Sequence, residues 1–260
     1  MLKQGGFTLL ELLLVVAILS IIIGAVFSQL NIAQQRLSTE ETRLDDFQQA
    51  RDFVDQFFRD INQIGTPNMQ IMDTSSPASF SPALTAQTSY AYANPYINDS
   101  RMAMGLVKID TGEIRFEGAM SGNGTVQTVI YKINGSGTCS LCMQRSQIDK
   151  TTADPLTQST STTNWGTEVN DVIIDSTKPI FRYFQYDGTE VVPPSGGLDY
   201  TTSTNAALLA NIKTIQINLT IRNNNVTDKQ TGMPIETSFE GEVSLNNCSM
   251  ATTGQNMSCQ

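Results

Sequence analysis

The chain has 260 residues and a formal net charge of −9, with 25 acidic against 16 basic side chains. That balance argues against a general nucleic-acid binder, which needs a basic footprint. Histidine is absent, which removes Ser-His-Asp and Cys-His nucleophilic mechanisms in their usual form, together with His-based metal sites.

The first six residues form a short leader whose one charge is Lys3, ending in Gly5-Gly6. Phe7-Thr8-Leu9-Leu10-Glu11 follows, and then an apolar run to Phe27. From Phe7 to Gln29 the single charge is Glu11. At about 1.5 Å per residue this segment spans a bilayer core of about 30 Å. An ordinary secretory signal places its small-residue cleavage site after the apolar region. Here Gly5-Gly6 comes first, so a cut after Gly6 leaves the apolar segment on the mature chain. The positive-inside bias keeps Lys3 in the cytoplasm and puts the bulk of the chain outside it. A carboxylate in an apolar run is costly and needs a positive partner. After a cut at Gly6 the new amine of Phe7 lies one helical turn from Glu11. Pairing between them, within one chain or across neighbouring subunits, would set the axial register of apolar helices.

Beyond the apolar run, Leu30, Ala33, Leu37, Leu44, Phe47, Val54, Phe58 and Ile61 keep a three-four spacing. Polar and charged residues such as Gln34, Arg36, Glu41, Arg43, Asp45, Asp52 and Asp60 lie between them. The pattern predicts that the helix continues to Ile64 with one apolar stripe. A coiled coil is the alternative for the same stretch. Gly65 is the expected residue just past the helix end, and Pro67 prevents continuation.

After Pro67 the texture changes. Residues 73–100 are rich in Ser, Thr, Ala, Pro and Tyr without periodicity, and read as a long irregular loop. Residues 113–118 and 125–133 read as strands around a Met120–Gly124 hairpin turn. Residues 149–171 read as irregular again. Residues 180–186 read as a strand running into an Asp187-Gly188 turn. Residues 203–211 read as a short helix capped by Ser203 or Thr204. Ile215, Ile217, Leu219 and Ile221 alternate with polar residues; Phe239, Val243 and Leu245 do the same, with Gly241 in the remaining apolar-face position. Period two predicts an antiparallel sheet with one buried face. The helix stripe from Leu37 to Ile64 is its natural cover. The expected fold class is α+β, a long N-terminal helix packed on an antiparallel β-sheet head. Its parts are a leader (1–6), a helix (7–65, with 7–29 apolar and 30–65 amphipathic) and a β-rich head (66–260).

Four cysteines, Cys139, Cys142, Cys248 and Cys259, suggest two disulfides in an exported domain. Cys139–Cys142 with Cys248–Cys259 is the simplest of the three connectivities. A four-thiolate zinc site is the alternative: Cys139 and Cys142 have suitable spacing, whereas Cys248 and Cys259 do not form a knuckle. The glycine clusters at 121–124 and 134–137 lack a following Lys-Ser/Thr and read as turns. No catalytic set, metal site or cofactor is expected.

Gly5-Gly6-Phe7-Thr8-Leu9-Leu10-Glu11 and the helix behind it resemble the prepilin N-terminal motif of type IV pilins and type II secretion pseudopilins. The resemblance implies that a prepilin peptidase cuts after Gly6 and N-methylates Phe7. It also implies that Glu11 assists assembly and registers neighbouring subunits. The family fold agrees with the pattern above. Residues 48–61, 181–188 and 212–222 resemble PilW-type minor pilins and J-type pseudopilins. Those are subunits that prime or cap a filament near its tip. Cys248–Cys259 is similar to the C-terminal disulfide loop of many pilins. The implied partners are prepilin peptidase, other major and minor pilins or pseudopilins, and an inner-membrane assembly platform. The implied location is the bacterial inner membrane with a periplasmic head, then the filament. A tip adhesin or DNA-binding head is the alternative, with residues 73–100 and 149–171 as its surface and Arg101, Lys108 and Tyr92 as scattered candidate contacts. A membrane-anchored enzyme is disfavoured.

Overall fold

The structure is a computed structural model that describes residues 8–67, 77–84, 87–89, 94–135, 141–158, 165–227 and 232–245. Helix α1, Leu9–Asn62, is uninterrupted over 54 residues. It ends as expected. The Gln63 and Ile64 amides donate to Asp60 and Ile61 three residues back, and Gly65 follows at φ 72°. That left-handed conformation suits glycine. The Gly65 amide then donates to the Glu117 carbonyl at 2.8 Å.

The strands are β1 (Leu106–Ile109), β2 (Glu113–Gly118), β3 (Gln127–Asn134), β4 (Cys142–Asp149), β5 (Trp165–Val169), β6 (Phe181–Gln185), β7 (Glu190–Val191), β8 (Leu198–Asp199), β9 (Ile212–Thr227) and β10 (Pro234–Ser244). A second helix, α2, spans Ser203–Ala210. One sheet has six strands in the order β5-β4-β3-β2-β1-β8; the other has four in the order β10-β9-β6-β7. The pairings β1–β2, β2–β3, β3–β4 and β4–β5 are all antiparallel. The fold is therefore the α+β, pilin-like architecture anticipated above, a long N-terminal helix followed by antiparallel sheets.

The chain falls into two compact units, residues 1–45 with 224–235, and residues 46–223 with 236–260. The core lies in the second. There Ala50, Phe53, Val54, Phe57, Ile61 and Ile64 of α1 and its end are buried at three-four spacing. The Phe57 ring joins the two sheets. It meets Tyr131 of β3 edge-on at 5.2 Å between centroids and stacks on Phe181 of β6 at 5.4 Å. The buried stripe is shorter than expected. It begins at Ala50, while Leu37 and Leu44 are exposed. Val54, Phe58 and Ile61 of the three-four count do pack in the core, whereas its earlier members Leu30, Leu37 and Leu44 lie on a different side of the helix from the one set by Ala50, Phe53 and Phe57.

Two glycines mark close approaches. A β-carbon on Gly241 would stand 2.7 Å from the Phe58 ring, which explains a glycine in an apolar-face position of β10. A β-carbon on Gly118 would stand 2.3 Å from the Gln63 carbonyl oxygen, where Ile64 bridges Gly118. Backbone has no rotamer with which to yield. Gly118→Ala is expected to destabilise the fold by about 1–3 kcal/mol, read as a lower midpoint in thermal denaturation of the detergent-solubilised chain. An unchanged midpoint would contradict the close approach.

Several elements differ from the expectation. Thr202, rather than Ser203 or Thr204, caps α2, its hydroxyl accepting from the Asn205 amide at 3.2 Å. Strand β5 lies inside the stretch read as irregular. Strand β4 gives no apolar alternation because, on the helix-facing side, only Met143 is apolar and the two positions after it are polar. Arg145 and Gln147 stand opposite Tyr131 and Val129 of β3.

Candidate membrane-anchoring and assembly segment

The helix start is a capped one. Thr8 precedes α1, and its hydroxyl accepts from the Glu11 amide at 3.3 Å. The Thr8 carbonyl accepts from the amides of Glu11 and Leu12 at 3.1 and 3.2 Å. Thr8-x-x-Glu11 is thus a Ser/Thr-x-x-Glu capping sequence, with the acid in the first turn where the helix dipole favours negative charge. Glu11 stands out in the sequence as the one acid of the apolar run; the cap at Thr8 is signalled only by the three-residue spacing between them.

From Leu9 to Leu30 every side chain of α1 is exposed. This is a helix of membrane-spanning length and apolarity, and no part of its most apolar stretch is buried within the chain. Exposed leucine, isoleucine and valine on all sides are stable only in an apolar surround. Ser20 does not interrupt the run, because its hydroxyl donates to the Val16 carbonyl at 2.8 Å.

The chain carries a prokaryotic N-terminal methylation motif. The matching family model bears that description and covers residues 1–27. No curated protein and no solved structure matches the chain. The motif supports a type IV pilin-like or pseudopilin-like protein anchored in a membrane by one N-terminal helix. It implies processing by a prepilin peptidase and assembly with other pilins.

Of the site residues expected from sequence, Glu11 is exposed in the first turn of α1, and Gly6 and Phe7 lie outside the described residues. Cys142 opens β4, is fully buried and is disulfide-bonded. Cys139, Cys248 and Cys259 lie outside the described residues.

At its other end, α1 is tied to the head by a buried ionic cluster. Asp60 is the one charged residue among those α1 buries. Its Oδ2 accepts from the Tyr131 hydroxyl and from Arg145 Nε, both at 2.7 Å, and its Oδ1 accepts from Gln56 Nε2 at 2.7 Å. Burial, with the Asp60 charge beside it, pushes the Tyr131 phenol up and keeps it a donor. A second buried pair lies on the opposite face of the six-stranded sheet. Lys150 Nζ donates to Glu117 Oε2 at 2.7 Å and to the Met102 carbonyl at 2.8 Å. The Met104 amide also donates to Glu117 Oε2, at 2.9 Å. Burial pushes the Glu117 carboxyl up, against the pull of Lys150.

The basic residues named as candidate nucleic-acid contacts are engaged elsewhere. Arg101 grips Asp99 with Nε and Nη2 at 2.8 and 2.6 Å and lies over the Phe80 ring. The Arg101 guanidinium holds the Asp99 carboxyl below the usual range. Lys108 faces Glu113 at 3.6 Å, and Tyr92 lies outside the described residues.

Proposed function

We propose that this chain is a minor pilin or pseudopilin that helps prime or cap a type IV pilus or type II secretion pseudopilus. In this reading a prepilin peptidase cuts after Gly6 and methylates Phe7. The mature subunit sits in the bacterial inner membrane by residues 7–29, with its head in the periplasm, and α1 then leaves the bilayer for the filament. The observation that carries the reading is the long apolar helix, exposed on every side and opening on Glu11, joined without a break to a folded head. Apolar packing supplies adhesion between subunits. Glu11 supplies register by meeting the amine of Phe7, on its own chain or a neighbour's. The segments at 48–61, 181–188 and 212–222 favour a minor, tip-proximal subunit over a major one. Cys139–Cys142 and Cys248–Cys259 are the proposed disulfides of the exported head.

Loss of the carboxylate tests the assembly role. Breaking a desolvated ion pair costs about 3–5 kcal/mol in proteins, and about 1.4 kcal/mol is tenfold in an equilibrium. Glu11→Gln is expected to cut incorporation into sheared filaments at least tenfold by quantitative immunoblot. The head should keep its circular dichroism, because Glu11 lies far along the chain from the core that begins at Ala50. Wild-type incorporation of the variant would refute the role.

A further inference from the structure

The outer faces of β9 and β10 form the floor of a groove that the core does not use. Ile217, Leu219 and Ile221 of β9 and Ile235 of β10 turn inward and are buried. The residues between them turn the other way: Asn218, Thr220 and Arg222 on β9, with Glu236, Ser238 and Glu240 on β10. A wall stands beside this floor. The chain after β5 pairs with β9 at Val172–Ile221, where the Ile173 amide donates to the Thr220 carbonyl at 2.8 Å. It then leaves β9 through an Asp175–Lys178 turn, and rejoins it where the Asn218 amide donates to the Ile180 carbonyl at 2.8 Å. Floor and turn line a groove of about 460 Å³, within the size range of small-molecule sites. All of these residues belong to one compact unit, and none lies in the stretches 73–100 or 149–171.

The lining is held in place by bonds of its own. Arg222 holds Glu236 Oε1 with Nε and Nη2 at 2.8 and 2.7 Å. The Thr220 and Ser238 hydroxyls share one hydrogen bond at 3.0 Å. The Thr177 amide and hydroxyl donate to Asp175 Oδ1 at 2.8 and 2.7 Å, which sets the turn. Asn218 Nδ2 donates to the Pro179 carbonyl at 3.2 Å. These bonds leave capacity over. The hydroxyl pair keeps one proton and spare lone pairs, Asn218 keeps Oδ1 as an acceptor, and Glu240 presents a carboxylate. At the lip Ile174 is 57 % exposed, an apolar surface beside a polar floor.

This lining narrows the chemistry of a ligand. An anion would face Asp175, Glu236 and Glu240. A metal ion would find Glu240 alone, since Arg222 holds Glu236 and Thr177 holds Asp175. An apolar molecule would take water from the hydroxyls and the carboxylate and return no hydrogen bond. An uncharged molecule rich in hydroxyls fits, because each hydroxyl both donates and accepts. The C–H face of a sugar ring also matches an exposed isoleucine.

We propose that this groove binds a short neutral glycan, with Asn218, Thr220, Ser238 and Glu240 bonding its hydroxyls and Ile174 covering one ring face. Glu240 orients the sugar, because a carboxylate accepts from two neighbouring hydroxyls at once. The groove lies on the side of β10 opposite Phe58 of α1. Glycan binding and filament assembly can therefore succeed or fail separately.

A panel of immobilised neutral oligosaccharides, of hexoses and of N-acetylhexosamines, with sulfated ones beside them, tests this with the detergent-solubilised full chain. Retention on at least one neutral member is expected, with release by the same sugar in solution. Glu240→Ala should weaken binding at least about tenfold and Thr220→Val about threefold. Glu242→Ala, at the next outward position of β10 but outside the groove, should bind as the unaltered chain does. Thermal midpoints show which variants are folded, and Ser238→Ala replaces any that is not. Retention by hexose or by N-acetylhexosamine members supports the proposal and identifies the sugar. It is overturned if no neutral member is retained, if Glu240→Ala binds like Glu242→Ala, or if retention is confined to sulfated members.

Discussion

Asp60→Ala is expected to destabilise the head by about 3–5 kcal/mol, the cost of leaving a buried charge without its partner. Asp60 is 4 % exposed and holds three donors from α1, β3 and β4. Its removal leaves Arg145, a half-buried guanidinium, without its carboxylate, and Tyr131, fully buried, with a hydroxyl proton and no acceptor. Asp60→Asn keeps the volume and one acceptor oxygen and should cost less. Urea denaturation of the detergent-solubilised chain measures the series. Pairing Asp60→Ala with Arg145→Ala should give less than the sum of the single losses, because the second substitution removes a charge already stranded. A loss below about 1 kcal/mol for Asp60→Ala would contradict the role of the cluster in fastening α1 to the sheet.

The Glu117–Lys150 pair is expected to behave asymmetrically. Both side chains are fully buried, so each carries a large desolvation cost that only the partner offsets. Lys150→Met alone should cost about 3–5 kcal/mol, and Glu117→Gln alone should cost less, since the amide keeps one oxygen for the Met104 amide. Replacing both by apolar residues of similar volume should fall near wild type. The same denaturation series checks it. If Lys150→Met is silent, or the double replacement is worse than either single one, the pair is not acting as a closed buried unit. The pair matters because the Lys150 and Glu117 side chains bond the Met102 carbonyl and Met104 amide. That pins an otherwise irregular segment to the back of the six-stranded sheet.

These two clusters also explain what the sequence hid. The helix, β2, the core of β3, β6 and the alternation in β9 and β10 were legible, because their apolar periods are regular and their ends carry Gly65, Asp187-Gly188 or Met120–Gly124. Strand β4 was not legible. Arg145 and Gln147 share the face of buried Met143; Asp60 and Tyr131 on other elements hold Arg145 there, and Gln147 is held by Arg145 and by Gln127 of β3. Strands β7 and β8 have two residues each, too few to carry a period. Val54, Phe58 and Ile61 pack as the stripe predicts, but where the packed side of α1 begins was misjudged for a related reason. Leu37 and Leu44 look like core residues by type, but Ala50 and Phe53 set the buried side, and an alanine is a weak signal in a hydrophobic pattern. At the N-terminus the motif residues were readable from the order of glycine, phenylalanine, acid and apolar run. The cap at Thr8 needed the three-residue spacing to Glu11 as well.

The central claim is that the apolar segment belongs to the mature protein and is exposed by a cut that precedes it. Mass spectrometry of the N-terminal peptide, taken from membranes of cells with and without their prepilin peptidase, measures this directly. The account predicts a mature chain that begins at N-methylated Phe7 when the peptidase is present, and an intact leader from Met1 when it is absent or when Gly6 is replaced by alanine. A chain that keeps Met1–Gly6 in the presence of the peptidase, or one cut beyond Phe27 as a secretory signal would be, would contradict it.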